Sequence, residues 1–391
     1  MKFQTIYFVA GEVSADNHGA ALMRSLRELD GELHFVGRGG PQMKEVAKQS
    51  AIGRIRGGGQ FKNWISEAAV LGLWEVLRKY GYFREQFHET LQEIRESKPD
   101  AVVLIDYPGF NLRLARALRK QAPQQKVIYY ISPQVWAWNR GRIKRMAHFI
   151  DLVLCIFPFE VDLYNQAGLR ALFVGHPMTE RLRARKIDTE RDSNLIGLFP
   201  GSRSREVRKI FPVMLETARE LRKHNSNLRF EVAAASEQLA REMKLFVAGL
   251  DRSRDRDAIQ IKVDETAVIM QRAWAGIVAS GSATLEAAYF RLPFVLIYKV
   301  AWPTYLAARL VVSVEYLGMP NLLADKEVVP EFIQHRAKPS AIVKAAEPLI
   351  ENANARERMI SEFDAIVPKL GGSGASQGAA RAIIEEIRSA I

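Results

Sequence analysis

The sequence predicts an α/β protein of two Rossmann-like domains that face each other across a cleft. Short β-type runs alternate with helical segments along the chain, which is typical of parallel sheets covered by helices. A length of 391 residues is long for a single core and suits two domains of ordinary size. A strand, a small-residue turn and a helix follow one another from residue 195, in mid-chain, where a second domain is expected to begin.

The expected strands are short apolar runs in both halves of the chain. They are 6–10, 34–36, 101–105, 127–131, 152–156 and 171–174, followed by 195–199, 228–232, 259–263, 275–279 and 294–298. We expect an N-terminal domain over 1–177, a charged linker over 178–194 and a C-terminal domain over 195–370. The last helix, within 371–391, is expected to pack back on the N-terminal domain.

The composition narrows the classes of partner. The formal net charge of +12 predicts an anionic one: nucleic acid, a membrane surface or a phosphorylated substrate. The cations are dispersed and no standard nucleic-acid-binding motif is present, so we expect no nucleic acid. Cys155 is the single cysteine, which excludes a disulfide within the chain, fits a reducing cytosol and is interpreted as a core residue. We find no signal peptide and no apolar run of membrane-spanning length, so any membrane contact is expected to be peripheral.

The turn after the expected strand 195–199 is suited to a diphosphate. Gly201 and Ser202 lie between the strand and a helix, so free backbone N–H groups would point at a ligand above the strand end. Arg203 adds a fixed cation with two parallel N–H donors. The alternative is an ordinary turn with a surface arginine.

A second turn of the same kind follows the expected strand 275–279. Ser280, Gly281 and Thr284 open a helix, and Glu286, about one turn later, could accept hydrogen bonds from ribose hydroxyls. Asn321 adds a polar group on a later ordered turn. A capping box is the alternative for this turn, but two such loops in one domain favour a nucleotide.

Three carboxylates follow expected strands in the first half and are candidates for a general base. Asp106 ends the apolar strand 101–105, so it should face the ligand crevice, where partial burial would tune its pKa. Glu12 and Asp16 lie in the loop after the first strand, which should open onto the same crevice. Helix capping is the alternative for Asp106 and for Asp16.

Two glycines and four aromatic residues are expected to contact the acceptor or its lipid. The glycines would allow a close backbone approach, and aromatic residues beside cations suit sugar rings, phosphates or a bilayer surface. Flexible turns, an amphipathic core helix and a packed loop are the respective alternatives. The six residues are Gly39, Gly40, Trp74, Phe83, Trp136 and Trp138.

Taken in order, these motifs resemble the lipid-A-disaccharide synthases, a family of inverting glycosyltransferases with the two-Rossmann GT-B architecture. The similarity is collinear over nearly the whole chain, although Ala15 stands where glycine is usual and Gly109 where an acidic residue is frequent. The motifs are Ala10-Gly11-Glu12-x-Ser14-x-Asp16, Gly37-x-Gly39-Gly40-x-x-Met43, Asp106-x-Pro108-x-Phe110-Asn111, Ser132-Pro133-x-Val135-Trp136-Ala137-Trp138, Phe157-Pro158-Phe159-Glu160, Gly175-His176-Pro177, Pro200-Gly201-Ser202-Arg203-x-x-Glu206, Ser280-Gly281-x-Ala283-Thr284-Leu285-Glu286 and Pro320-Asn321-Leu322-Leu323.

The resemblance implies transfer of 2,3-diacylglucosamine from its UDP derivative to 2,3-diacylglucosamine 1-phosphate. The products would be the β-1,6-linked lipid A disaccharide and UDP, made in a Gram-negative bacterium. It also implies a cytoplasmic enzyme at the anionic inner-membrane surface, and the family's exchange of C-terminal segments favours a homodimer. The N-terminal domain would bind the acceptor and the C-terminal domain the UDP-sugar.

The residue types are compatible with the function that the resemblance implies, but they leave two other functions open. A diphosphate leaving group needs cationic and dipolar stabilisation. No cluster of His, Cys and Asp suggests a metal, and we expect no cofactor. A sugar-nucleotide epimerase of similar architecture would bind UDP without a lipid acceptor, and a basic nucleic-acid-binding protein would use the charge for phosphates.

Overall fold

The computed structural model describes residues 4–48, 61–65, 80–137, 141–250, 253–302, 305–306, 309, 314–372 and 374–389. The chain forms two compact units. Unit 1 comprises Met1–Pro177 and Gly371–Ile391, and unit 2 comprises Met178–Leu370. Each unit has its own parallel sheet with helices, so the predicted α/β class is confirmed.

Unit 1 contains a seven-stranded parallel sheet in the order β3-β2-β1-β4-β5-β6-β7. The strands are β1 Thr5–Ala10, β2 His34–Gly39, β3 Phe61–Asn63, β4 Ala101–Ile105, β5 Lys126–Tyr130, β6 Leu152–Cys155 and β7 Ala171–Phe173. The described helices are Val13–Leu29, Pro41–Lys48, Tyr80–Ser97, Pro108–Gln121, Gly141–Met146, Pro158–Gln166 and Ala375–Arg388, with a 3-10 turn at Val135–Ala137. The central strands β1, β4, β5 and β6 are apolar on both faces because helices cover both faces of the sheet.

Unit 2 contains a six-stranded parallel sheet in the order β10-β9-β8-β11-β12-β13. The strands are β8 Asp192–Phe199, β9 Arg229–Ala234, β10 Ile259–Val263, β11 Ala273–Ala279, β12 Phe294–Tyr298 and β13 Glu331–Ile333. The described helices are Met178–Ala184, Ser204–His224, Glu237–Ala248, Ser253–Asp257, Thr266–Arg272, Ser282–Tyr289, Met319–Ala324, Pro339–Glu351 and Ala353–Ile366, with 3-10 turns at Gln334–Arg336 and Val367–Leu370.

Strand order locates the ligand crevice of each sheet. In unit 1 the order reverses between β1 and β4, which pair directly, and in unit 2 it reverses between β8 and β11. Ligands of open α/β sheets bind at the carboxyl ends of the strands at such a reversal. The loops after β1 and β4 carry Glu12 and Asp106, and the loops after β8 and β11 carry Arg203 and Ser280.

The structure corrects the predicted linker over 178–194. This segment forms the helix Met178–Ala184 and the first residues of β8. Leu182 is buried, and the N–H of Ile187 donates to Gln271 Oε1 at 2.8 Å. Its charged composition misled the prediction, because the charges lie on exposed faces while a few apolar residues attach the segment to unit 2. The sequence also missed β3 and β13, each of three residues.

The last helix, Ala375–Arg388, packs within unit 1. Ala379 and Ile383 belong to the same buried cluster as Leu22 and Leu26 of the helix Val13–Leu29. Glu386, also buried, accepts a hydrogen bond from Lys126 Nζ at 2.7 Å at the start of β5. Burial of one apolar face, together with this ion pair, holds the end of the chain against the first sheet.

Candidate active site

The loop after β4 adopts a constrained backbone that directs the Asp106 side chain. Asp106 and Tyr107 have φ of 47° and 50°, in the left-handed region that non-glycine residues rarely occupy. The carbonyl oxygen of Asp106 accepts hydrogen bonds from Asn111 Nδ2 at 2.8 Å and from Tyr129 Oη at 2.5 Å. Both donors are buried, so they hold a backbone that would otherwise relax.

The Asp106 carboxyl has a pKa raised from 3.8 to about 6. Burial is the main cause, and the negative charge of Glu12 adds to it, while the N–H of Tyr107 opposes the rise. A carboxyl with this pKa is largely ionised near neutral pH and is more basic than an ordinary aspartate. Both properties suit a general base.

A pocket of about 320 Å³ lies at the carboxyl ends of β4, β5 and β6. Asp106 and Glu160 both line it, with the loop 131–135 between them. Glu160 is buried, and burial raises its pKa from 4.5 to about 7. Its oxygens accept hydrogen bonds from Trp136 Nε1 at 2.8 Å and from the Phe157 N–H at 3.1 Å. The pocket therefore contains two carboxyl groups: Asp106 is the candidate base, and Glu160 holds the pocket wall in place through its hydrogen bonds.

Glu160, Asn111 and Tyr129 were not among the residues that the sequence predicted for the site. One signal was available for Glu160: it lies three residues after Phe157 at the start of a helix, as in a capping box. Its acidic side chain follows an apolar strand, as that of Asp106 does. No local pattern marks Tyr129, because it is one apolar-flanked tyrosine within β5.

The loop after β1 gives its two carboxylates different environments. Glu12 is exposed and precedes the helix Val13–Leu29. Asp16 is buried and accepts three backbone hydrogen bonds, from Gly40 at 3.0 Å, Met43 at 2.9 Å and Gln42 at 3.0 Å. It thus caps the helix Pro41–Lys48 rather than its own helix. These bonds occupy both oxygens, which corrects the interpretation of Asp16 as a rival base.

Internal packing explains the two glycines predicted for acceptor contact. A Cβ at Gly40 would lie 2.4 Å from the Asp16 carboxyl, and one at Gly39 would lie 2.7 Å from Met43 Sδ. Both distances are shorter than any ordinary contact. The close approach that these glycines allow is therefore an approach to the protein's own side chains.

The aromatic residues predicted to contact the lipid or sugar have mixed outcomes. Trp136 is buried and packs edge-on against Phe159 at 4.9 Å, so the packed-loop alternative is right for it. Phe83 is partly exposed on the helix Tyr80–Ser97, and its role remains a prediction. Trp74 and Trp138 lie outside the described residues.

In unit 2, the turn after β8 has the geometry of an anion-binding loop. Gly201 has φ of +105°, a conformation that favours glycine. Ser202 is exposed, and Arg203 directly precedes the helix Ser204–His224 with its side chain 72% exposed. Nη1 of Arg203 lies 3.0 Å from Glu206 Oε1. A guanidinium and the N-terminus of a long helix therefore meet at the end of β8.

The turn after β11 leaves space at its glycine. Gly281 has φ of +142°, and a Cβ added there would meet no atom within 4 Å. Thr284 is buried, and its hydroxyl donates to the Gly281 carbonyl at 2.8 Å, so its side chain shapes the turn. Ser280 remains partly exposed at the strand end. The Thr284 side chain is therefore engaged within the turn, while the backbone at Gly281 is exposed.

Glu286 and Asn321 both have protein partners. Glu286 Oε1 lies 2.7 Å from Arg181 Nη2, and Arg181 comes from the segment predicted as a linker. Asn321 is fully buried: its amide donates to the Val329 carbonyl and Glu331, and its oxygen accepts from the N–H groups of Val328 and Val329. The structure thus corrects the predicted contact of Asn321 with UDP, since every polar position of this side chain holds the loop 325–331.

The described residues contain no group of three or more His, Cys, Asp or Glu side chains arranged to hold a metal ion. Among the described helices, none combines the length and the apolar character that crossing a bilayer requires.

Solved structures with this fold include a complex with UDP and a glycosyltransferase. MnaA of S. aureus in complex with UDP aligns with a TM-score of 0.63 and 12% identity, over 98% of this chain and 97% of that one. CalG4, the calicheamicin glycosyltransferase, aligns with a TM-score of 0.56 and 12% identity, over 100% of this chain and 99% of that one. At these identities the likeness shows the fold, which is the two-domain GT-B type.

Sequence comparison gives the family. The model of the lipid-A-disaccharide synthetase family matches residues 6–373. The lipid-A-disaccharide synthase of Geobacter sulfurreducens is 36% identical over 390 residues, covering 97% of this chain and 96% of the relative. That of Coxiella burnetii is 32% identical over 393 residues, covering 98% of each. The fold, the strand-end loops and these matches agree, and the chain belongs to the lipid-A-disaccharide synthase family.

Proposed function

We propose that this chain transfers 2,3-diacylglucosamine from its UDP derivative to the 6-hydroxyl of 2,3-diacylglucosamine 1-phosphate, with Asp106 as the general base. The products are the β-1,6 lipid A disaccharide and UDP. Family membership supports the reaction. The observation that supports the base is the Asp106 carboxyl, which has a pKa of about 6 and lines a pocket at the carboxyl ends of β4, β5 and β6.

The reaction is a single in-line displacement with inversion at the anomeric carbon. A hydroxyl is a weak nucleophile, so its proton must leave as the new bond forms, and Asp106 would take it. The constrained backbone at Asp106 and Tyr107 keeps the carboxyl in place without rearrangement during the reaction. Glu160, on the far side of the loop 131–135, would position the pocket wall.

The donor diphosphate would bind at the two turns of unit 2. Arg203 and the backbone N–H groups after Gly201 and Gly281 would stabilise the negative charge that develops on departing UDP. Glu286, paired with Arg181, would accept from the ribose hydroxyls. These residues supply cationic and dipolar stabilisation from the chain itself.

The proposal places the enzyme at the cytoplasmic face of an anionic inner membrane, as a homodimer. The net charge of +12 and the acylated nature of both substrates support contact with such a surface. Sedimentation with vesicles containing phosphatidylglycerol, compared with neutral vesicles, tests the surface contact. Light scattering of the purified chain tests the dimer.

UDP release tests the reaction and separates it from the epimerase alternative. Purified enzyme is incubated with UDP-diacylglucosamine, with and without diacylglucosamine 1-phosphate, and both UDP and the disaccharide are quantified. We expect equimolar UDP and disaccharide only when the acceptor is present. Formation of an isomeric UDP-sugar without acceptor would refute transfer and favour epimerisation.

A further inference from the structure

A second pocket of unit 1, with a volume of about 520 Å³, is lined by an unusual concentration of cations. We call it the basic groove. It lies between the helices Pro108–Gln121 and Gly141–Met146. The described residues that line it include no aspartate or glutamate, and their cations, besides His148, are Arg113, Arg116, Arg119, Lys120, Arg142 and Arg145.

Helical spacing brings these cations onto facing surfaces. Arg113, Arg116 and Lys120 are three and four residues apart, so they form one stripe on their helix, and Arg142 and Arg145 are likewise three apart. Like charges at this spacing repel each other and reduce stability. Binding of an anion would offset this repulsion, so such a cluster is expected where an anionic ligand binds.

Among the residues that the structure describes, few carboxylates form ion pairs with the cations of the basic groove. Arg119 donates to both oxygens of Asp151 at 2.7 Å. Arg113, Arg116, Lys120 and Arg145 form no ion pair with a carboxylate of the described residues. The groove therefore presents several guanidinium groups whose hydrogen-bond donors are available to an oxyanion.

The basic groove adjoins the pocket of Asp106. Pro108 lines both pockets, two residues after the proposed base. Leu112 and Phe149 add apolar surface to the groove wall. A ligand that reaches the base from this side would thus place an anionic group among the arginines and apolar groups against the wall.

We propose that the basic groove binds the 1-phosphate of the lipid-sugar acceptor. The inference rests on the proposed function, which gives the acceptor a phosphomonoester on C1 and a reacting hydroxyl on C6, close to each other because C1 and C5, the carbon that carries C6, both adjoin the ring oxygen. A phosphate dianion matches the bidentate geometry of arginine. With the phosphate among Arg113, Arg116 and Arg145, the 6-hydroxyl points toward Asp106, so the groove both selects phosphorylated acceptors and orients them.

The test compares acceptors with and without the phosphate. Arg113→Gln/Arg116→Gln in the full chain is assayed in detergent micelles with diacylglucosamine 1-phosphate, with diacylglucosamine that lacks the phosphate, and with varied donor. Loss of charge-assisted hydrogen bonds should raise KM for the phosphorylated acceptor about 10–100-fold. KM for the dephosphorylated acceptor and for the donor should stay within about twofold, so that discrimination between the two acceptors collapses. Arg24→Gln, an exposed arginine elsewhere in unit 1, is the control and should change none of these values.

Calorimetric binding of the same two lipids in micelles, with no donor present, provides a readout independent of turnover. Tighter binding of the phosphorylated lipid by the wild type, lost in the double variant, supports the basic groove even if no disaccharide forms, an outcome that would refute only the proposed function. An unchanged ratio of affinities or of KM values overturns the proposal. A variant that loses only its sedimentation with phosphatidylglycerol vesicles, at unchanged KM in micelles, also overturns it and assigns the groove to bilayer lipid.

Discussion

Asp16 and Asp106 follow two strands that pair side by side, yet they have opposite environments. Asp16 follows β1 and accepts three backbone N–H groups through its two oxygens. Asp106 follows β4 and is held through its backbone carbonyl, which leaves the carboxyl facing a pocket. Two carboxylates at one edge of a sheet thus separate into one that builds a loop and one suited to chemistry.

The difference lies in what the hydrogen bonds stabilise. The bonds to Asp16 complete the N-terminus of the helix Pro41–Lys48. Those at Asp106 stabilise a strained backbone instead, while burial and Glu12 disfavour its charge. A carboxylate that is destabilised in this way gains affinity for a proton, which is the property that a base needs.

Asp106→Asn should have the largest effect on activity. We expect kcat to fall about 10²–10⁴-fold, because the amide accepts no proton, while UDP affinity stays the same. Stability should be unchanged or slightly higher, since a buried ionisable group is removed. Disaccharide formation and calorimetric titration with UDP measure the two effects, and Glu12→Gln should reduce kcat much less. Near-normal turnover of Asp106→Asn would move the base to the loop after β1.

Asp16→Ala should have the largest effect on stability. Three backbone N–H groups would lose their acceptor, and two of the three bonds are fully buried. We expect the free energy of unfolding to fall by roughly 2–4 kcal/mol, measured by urea denaturation. Glu28→Ala, at an exposed position of the helix Val13–Leu29, should change stability far less. If Asp16→Ala and the control variant were equally stable, the three hydrogen bonds to Asp16 would not stabilise the fold.

Glu160 sharpens the comparison because it is hydrogen-bonded like Asp16 but has a raised pKa like Asp106. Its proton is released near pH 7 in the folded chain and near pH 4.5 in the unfolded chain. Stability from this group is therefore fully present below pH 4.5 and is lost as the pH rises to about 7. Asp106 acts in the same direction up to about pH 6.

Glu160→Gln should remove this group's share of the pH dependence. Between pH 4.5 and 8, the wild type should lose on the order of 2–3 kcal/mol more than the variant. The measurement is the difference between the two unfolding free energies across that range, in which the contribution of Asp106 cancels. A constant difference would show that Glu160 is ionised in the folded chain.

The smallest expected effect is that of Glu12→Gln, which should shift the pH dependence of kcat/KM. The charge of Glu12 is the second cause of the raised pKa of Asp106, so its removal should lower that pKa. The acid limb of kcat/KM, expected near pH 6 in the wild type, should move to lower pH by less than about one unit. If Glu12→Gln left the acid limb at the same pH, the charge of Glu12 would not contribute to the pKa of Asp106.

Local patterns were sufficient for the strands and for the strand-end loops. Apolar runs bounded by turn residues marked all the longer strands, and Asp106 was recognisable because it ends one of them. The strands β3 and β13 were missed because each is three residues long and includes a charged residue, whereas the equally short β7 is wholly apolar and was predicted. The linker prediction failed because residues 178–194 are mostly charged or polar, and the contacts of the few buried residues lie far away in sequence.

The sequence by itself determined the two α/β halves, the loops at the strand ends and the residue types that suit a diphosphate and a base. Only the tertiary structure decided which of these side chains are already engaged. Asp16, Asn321 and Trp136 have partners brought near by folding, and Glu160 and the basic groove arise from elements that meet in space. The physical reason is that period and turn chemistry act over a few residues, whereas burial and hydrogen-bond satisfaction depend on neighbours many residues away.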